Sequence, residues 1–336
     1  MKQKIIIISV VIVILLIVAL SIFLLLKLPD DQVNKYGNKT LTTEPFLWKI
    51  EGDNPSYLYG SIHVPSEEIL TLPSVVMDAF NEADMVYTET KLDETTQMEI
   101  LYSSLLTDTT LQNLLPDDVE HRLNNYLNNK GYSLEVFSQY KIWIMISTIT
   151  LLDEIETLQI YPALDQYIWN MATEKEKNTG GIEAFYEQTS IFDDLTIEQQ
   201  ITLLNSTLDE LENYAAQGKN IADDYKTAYI NGNLAALNAL LITDYDETNP
   251  IDVLLWDRLI TDRNINMSNR IAENITNNPN TQYFFTIGSG HYYGDDGILN
   301  LLTEKGFTVT RVEFNECTSC NMGYETINDR CYLPYK

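Results

Sequence analysis

Two of the three histidines in this 336-residue chain stand in matching surroundings. His63 follows Tyr57-Leu58-Tyr59-Gly60-Ser61-Ile62, and His291 follows Phe284-Phe285-Thr286-Ile287-Gly288-Ser289-Gly290. In each, a run of aromatic and β-branched residues reads as a buried strand, the Gly-Ser as a tight turn, and the imidazole stands just past the strand's carboxyl end. Open α/β sheets build their sites at that edge. Glu89 closes a third such run, Asp84-Met85-Val86-Tyr87-Thr88. Two imidazoles and a carboxylate converging from three strand ends make a first shell for a divalent metal ion, with water in the open positions. Water bound to such an ion ionises near neutral pH and a bound carbonyl is polarised, which is what hydrolysis of an amide or ester requires. A second carboxylate would serve as general base.

Other chemistries fit less well. A single histidine after a strand is more often packed or hydrogen-bonded than a ligand, and it is the matched pair that favours the metal. If both imidazoles merely brace their turns they need not meet, and a separation above about 10 Å would support that reading, since ligands of one ion each reach to about 2.1 Å of it. His121, in Pro116-Asp117-Asp118-Val119-Glu120-His121, reads as a solvent-facing residue at a helix start. Ser61 and Ser289 neighbour histidines but neither lies in Gly-x-Ser-x-Gly, and the phosphate-binding glycine patterns are absent.

The elements that must position these residues can be read around them. Phe46-Leu47-Trp48-Lys49-Ile50 and Tyr57-Leu58-Tyr59 flank turn chemistry at Glu51-Gly52-Asp53-Asn54-Pro55-Ser56, so a hairpin delivers His63. A helix over about Pro73 to Ala83 then leads to the strand ending at Glu89, and a right-handed crossover places His63 and Glu89 on one sheet edge. The end of the chain repeats the plan: a strand to Ile287, a helix from Ile298 stopped by Gly306, and a strand Phe307 to Val312 closed by Glu313, which reads as a surface carboxylate. Between the two units, residues 97 to 278 are Leu-, Ile- and Glu-rich with helical periodicity over Leu111 to Leu127, Glu135 to Thr157 and Ala163 to Glu174. Ile142-Trp143-Ile144-Met145-Ile146-Ser147-Thr148-Ile149 is apolar on every side and too short to span a bilayer, so it reads as the buried helix of this insertion. The expected fold is α/β (α+β): a mixed sheet built from N- and C-terminal strand-helix-strand units, with a large central helical insertion and one transmembrane helix in front.

That front helix is Ile5 to Leu26, uncharged and long enough to cross the roughly 30 Å hydrocarbon core. Lys2 and Lys4 precede it, while Lys27 is followed by Asp30 and Asp31, so the positive-inside rule keeps the amino terminus cytoplasmic and the remainder extracellular or luminal. An uncleaved anchor is favoured over a signal peptide, because the apolar run continues past the weak Ala19-Leu20-Ser21 cleavage site. Four sequons, at Asn38, Asn205, Asn266 and Asn274, fit an exported glycoprotein. The formal charge of −28 argues against sequence-independent binding to nucleic acid or anionic lipid, since both need a basic face. Cys317, Cys320 and Cys331 all lie in the last twenty residues, where three thiols without a histidine make a poor zinc site and one disulfide plus a spare thiol allows an intermolecular bridge.

These blocks together resemble the TraB/PrgY/GumN family, which includes the Tiki membrane metalloproteases. The resemblance rests on Leu47-Trp48-Lys49-Ile50 through Gly60-Ser61-Ile62-His63, on Glu82-Ala83-Asp84 leading to Glu89, and on Leu164-Asp165. It continues in Gly181-Ile182-Glu183 with Glu187-Gln188, in Asp262-Arg263-Asn264, and in Gly288-Ser289-Gly290-His291 through Gly294-Asp295-Asp296-Gly297 to Gly306-Phe307-Thr308-Val309. It implies a divalent-metal hydrolase, with Mn, Co and Zn all open, acting in Tiki proteins as a peptidase on a secreted polypeptide. His63, Glu89 and His291 would be its metal ligands, Glu183 a general base, and Arg263 a group binding a substrate carboxylate or developing oxyanion, or else a partner for Asp262 or Asp257. Asn178-Thr179-Gly180-Gly181 is polar where the family has an apolar strand, and Ala184 replaces a usual threonine. The resemblance divides the chain into an anchor over 1–27, a stalk over 28–45, the family-like domain over 46–315 and a cysteine-containing tail over 316–336. A non-catalytic surface protein capturing a peptide or signal in the same crevice remains the alternative.

Overall fold

In the computed structural model, residues 44–242 and 245–314 are described, with the backbone of 325–327 and 330–332. The expected anchor, the sequon at Asn38, Cys317 and Cys320 lie outside the described residues. Among those described, no helix is long and apolar enough to cross a membrane.

Six strands form one mixed sheet: β1 (Leu47–Ile50), β2 (Ser56–Ser61), β3 (Met85–Thr88), β4 (Asn178–Gly181), β5 (Tyr283–Gly288) and β6 (Val309–Arg311), in the order β4-β3-β5-β2-β1-β6. The hairpin expected at the start is present, with Leu47 opposite Tyr59 and Ile50 opposite Ser56. The terminal units do not lie side by side as two halves. β5 is inserted between β2 and β3, parallel to both, and β6 crosses to the far side to pair antiparallel with β1. The reason is legible in β5 itself: all six residues of Tyr-Phe-Phe-Thr-Ile-Gly are buried, the continuous apolar pattern of a strand covered on both faces. Phe284 packs edge-on against Phe80 of helix α1 (Ser74–Glu82), whose buried face is Val76, Met77, Ala79 and Phe80.

The segment between the units is mainly helical but supplies a strand of its own. α2 (Ile142–Leu151) is buried at every position, as its all-apolar sequence predicts. α3 (Leu164–Glu174) runs into β4, the polar Asn-Thr-Gly-Gly that pairs in parallel with β3. An edge strand tolerates such a sequence, and here the glycines are required. A Cβ on Gly180 would stand 2.7 Å from the Tyr87 ring, and one on Gly181 would stand 2.7 Å from the Lys91 backbone nitrogen. α4 (Phe185–Asp193) follows β4, and after a π-helical turn at Asp257–Thr261 comes α5 (Asp262–Asn277), with α6 (Ile298–Glu304) between β5 and β6. Asn205 lies within a helix, Ile197–Ala216, and Asn266 and Asn274 lie within α5, so three of the four sequons sit on helices. A two-stranded antiparallel ribbon, β7 (Glu325–Ile327) with β8 (Arg330–Tyr332), places the backbone of Cys331.

Candidate metal centre

Four parallel strands stand side by side as β4-β3-β5-β2, and each ends just before one ionisable side chain. Read across the carboxyl edge of the sheet, the order is Glu183, Glu89, His291, His63. Neighbouring strands are about 4.8 Å apart, so the two histidines leave the sheet from adjacent strands rather than from separate halves. The segments that carry them are tied together, because Ser289 Oγ donates at 2.7 Å to the carbonyl of Ser61, which is the last residue of β2 and not the turn expected from Gly60-Ser61. That bond gives the serine a bracing role, in keeping with the lack of a nucleophile motif.

The centre of the site is Arg263, from the first turn of α5. Its Nη2 donates to Glu89 Oε2 at 2.6 Å and Glu183 Oε2 at 2.8 Å, and its Nε donates to the same Glu183 oxygen at 3.0 Å. Gln188 of α4 donates to Glu89 Oε2 and Glu183 Oε2, each at 3.1 Å. The other oxygen of Glu89, Oε1, accepts the Gly288 N–H at 2.7 Å and lies 3.9 Å from His291 Nε2. His291 Nδ1 is 2.6 Å from Asn264 Oδ1, while Nε2 faces Arg263 Nη1 at 3.2 Å. His63 Nδ1 lies 3.3 Å from Asp165 Oδ1, a first-turn carboxylate of α3. All of these side chains are buried, and His291 is wholly so. Of the two helix carboxylates proposed as partners for Arg263, Asp262 and Asp257, neither holds it; the sheet-end glutamates do.

The protonation states follow from this packing. Burial pushes the His291 imidazolium down, Arg263 and His63 add to the effect, and the result is a pKa of about 3, so the ring is neutral at pH 7. Burial alone would raise Glu89, but Arg263 above all, with His291, His63 and the Gly288 N–H, outweighs it and holds the carboxyl near 2. Arg263 is desolvated, which lowers its pKa, yet the two glutamates overcome that and raise it above its ordinary value. The site is therefore an ionised Glu89 and a charged Arg263 beside a neutral imidazole.

Sequence reasoning missed three side chains that complete this network, namely Asp165, Asn264 and Gln188. Each lay within a stretch already quoted, and each carried a signal. Asp165 shares the buried face of α3 with Leu164 and Ile168, Asn264 that of α5 with Met267 and Ile271, and Gln188 that of α4 with Ile191 and Phe192. A polar residue at an apolar period position must find a buried partner. His121 is exposed on a helix, Asp117–Asn129, and Glu313 is exposed after β6, as expected.

Two donors of the kind a divalent ion takes face one another here, a neutral imidazole and an ionised carboxylate, and the second imidazole acts on both electrostatically. Two ligands at about 2.1 Å from one ion can stand up to about 4.2 Å apart, and Glu89 Oε1 and His291 Nε2 fall within that limit at 3.9 Å. The Asn264 oxygen at His291 Nδ1 is the kind of outer support that orients metal-binding imidazoles, and Asp165 Oδ1 stands 3.3 Å from His63 Nδ1. Among the described residues, however, no three His, Cys, Asp or Glu side chains are gathered as a ready-made metal cluster. The guanidinium of Arg263 stands among them.

Known proteins similar to this chain are metalloproteases by name. Metalloprotease TIKI1 of Xenopus tropicalis is 27% identical over 329 residues, covering 84% of this chain and 65% of the relative. The Danio rerio TIKI1 is 28% identical over 308 residues (79% and 62%), and the Homo sapiens TIKI1 is 28% identical over 308 residues (79% and 61%). The chain thus spans less than two thirds of the length of these relatives. No solved structure matches it. The TraB/PrgY/gumN family model matches residues 46–311, which is most of the chain and takes in all six strands of the main sheet. The chain belongs to the TraB/PrgY/gumN family.

Proposed function

We propose that the protein is a membrane-anchored, divalent-metal-dependent hydrolase, a peptidase acting on an extracellular or luminal polypeptide. The observation that carries this is the row of Glu183, Glu89, His291 and His63 along one sheet edge, in which an ionised carboxylate and a neutral imidazole face one another. The names of the relatives support the reaction class.

In this reading His63, Glu89 and His291 hold the ion, of which Mn, Co and Zn are the candidates. When bound, it supplies a water ionised near pH 7 and an electrophile for the scissile carbonyl. Glu89 contributes Oε1 to the site while Oε2 stays with Arg263. Glu183 is the proton acceptor. Its contacts with Arg263 and Gln188 all fall on Oε2, leaving Oε1 to take the proton. Arg263 is the cationic N–H donor beside the developing oxyanion. The apolar Ile5 to Leu26 run holds the chain to the membrane, with a stalk over 28–45, the folded domain over 46–315 (its insertion over about 97–278) and the tail over 316–336 on the far side. Glycans on the sequons and a disulfide to another chain through Cys317, Cys320 or Cys331 belong to the same exported setting.

The test uses the full-length chain in detergent micelles. Metal content by elemental analysis and cleavage of a peptide library by mass spectrometry are measured beside the double variant His63→Ala with His291→Ala. The expected result is bound divalent metal and peptide hydrolysis in the wild type, both lost in the variant. Metal content and cleavage that are unchanged by the double substitution would refute the proposal. Saturable peptide binding without turnover would transfer the site to the non-catalytic alternative.

A further inference from the structure

We infer that Arg263 is a built-in competitor for the metal ion: its Nη1 occupies the single lone pair of His291 that a metal can use, and Asn264 is the residue that fixes the lone pair there. The inference rests on the metal-centre reading above and concerns how that centre is loaded.

The tautomer of His291 follows from hydrogen-bond chemistry alone. Asn264 Nδ2 donates to the Asp296 carbonyl at 2.9 Å, and a carbonyl can only accept. The Asn264 amide is therefore oriented with its nitrogen on Asp296 and its oxygen on His291. That oxygen, 2.6 Å from Nδ1, can only accept, so Nδ1 carries the proton. On the other side of the ring, Nε2 faces Arg263 Nη1 at 3.2 Å, and a guanidinium has no acceptor. Nε2 must then be the acceptor. One nitrogen donating and the other accepting describes a neutral imidazole with its lone pair directed at Arg263.

A lone pair has room for one partner. Either Nη1 donates into Nε2, or Nε2 binds an ion, and the two cations also repel one another in this buried setting. Nε and Nη2 are the nitrogens that hold Glu183 and Glu89, so a tilt of the planar guanidinium about those two atoms takes Nη1 off His291 while the carboxylate contacts are kept. It has space to move into. A cavity of about 210 Å³ is lined by Arg263 with Glu183, Arg258, Asp262 and Asn266. Nη1 also donates to the Leu259 carbonyl at 3.4 Å, so leaving His291 frees one of its two N–H groups, and loading of the centre and release of the oxyanion donor are one event. In the metal-free chain the same guanidinium keeps Glu89 and Glu183 neutralised. Arg263 is thus a positioning residue for His291 before it is a candidate donor to substrate.

The experiment titrates Zn²⁺ and Mn²⁺ into metal-stripped, full-length protein in micelles by calorimetry, comparing wild type, R263Q and the His63→Ala, His291→Ala double variant. R263Q should bind at least tenfold more tightly than wild type, about 1.4 kcal/mol. A gain in affinity is not something a structural defect produces. Equal or weaker binding by R263Q, with binding still abolished in the double variant, overturns the role of Arg263 and leaves the metal centre standing. Binding unaffected by the double variant, or no binding by wild type and R263Q alike, overturns both. Should R263Q fail to fold, arginine-selective ¹⁵N NMR of the wild type decides. The Arg263 Nη1 protons should be protected in the metal-free chain and lose protection at saturating Zn²⁺, and unchanged protection at saturation refutes the inference.

Discussion

The two histidine turns have nearly the same local sequence and adjacent strands, yet they face different company. His63 has a carboxylate, Asp165, beside Nδ1. His291 has an amide, Asn264, at the same position and a guanidinium on the other nitrogen. A carboxylate behind an imidazole raises its basicity, whereas an amide fixes the tautomer without adding charge. The lesson is that a repeated motif repeats the ligand's location and not its chemistry. The chemistry is set by α3 in one case and α5 in the other, both from the segment between the sheet's terminal units.

The comparison breaks most sharply if the cation is removed. Arg263→Ala leaves Glu89 and Glu183 as uncompensated buried carboxylates and should cost the metal-free protein about 3–5 kcal/mol in denaturant unfolding. Asp165→Ala, which takes one carboxylate from the His63 side, should cost clearly less. If the two losses are equal, the two ends are not energetically distinct. Exchanging the orienting groups sharpens the contrast. Asn264→Ala should weaken ion binding by about 10–100-fold. Asn264→Asp, which still accepts from Nδ1–H, should recover most of that loss in the same calorimetric titration. Were Asn264→Asp no better than Asn264→Ala, tautomer control would not be the function of this side chain.

Acidity probes the His291 end alone. Its folded pKa of about 3 lies below the ordinary imidazole value of 6.5, so between those limits the unfolded chain binds the extra proton. The stability of the metal-free protein should therefore fall as pH drops from about 6.5 toward 3, by up to about 1.4 kcal/mol per pH unit for one proton. Glu89 adds a further loss as pH falls from the ordinary carboxyl value of 4.5 toward about 2. His291→Gln should flatten the part of the slope above pH 4.5, as read from melting temperature against pH. An unchanged slope would mean that the buried imidazole is not the group responsible. The smallest effect belongs to the brace shared by both turns: Ser289→Ala should cost about 0.5–1.5 kcal/mol and leave peptide cleavage intact. A large loss of turnover with unchanged stability would reinstate the serine as a chemical participant.

Much of the site's location was legible because it is local. Apolar runs followed by Gly-Ser, and a strand closed by a glutamate, specify where chain ends and turns fall, so His63, Glu89 and His291 could be singled out from residue order. The edge strand Asn178–Gly181 was not legible as a strand from composition, because its glycines answer to Tyr87 and Lys91, about ninety residues earlier in the chain. Asp165, Asn264 and Gln188 showed only as polar residues on apolar helix faces, a signal that demands a partner without naming it.

By itself the sequence determined the hairpin, the buried helix Ile142–Leu151 and the two strands that lead to His63 and His291, all of which depend on side-chain period and turn chemistry within a few residues, although Gly60 and Ser61, read as a turn, belong to β2. The tertiary structure alone decided that β5 enters between β2 and β3, which lines up Glu183, Glu89, His291 and His63, and that Arg263 lies across three of them. Strand order and buried polar pairing join residues far apart in the chain, 199 positions in the bond from Gly288 to Glu89 and 228 in that from Ser289 to Ser61. Such choices are settled by which arrangement buries β5 on both faces and gives Glu89 and Glu183 a cation, and no local pattern carries that information.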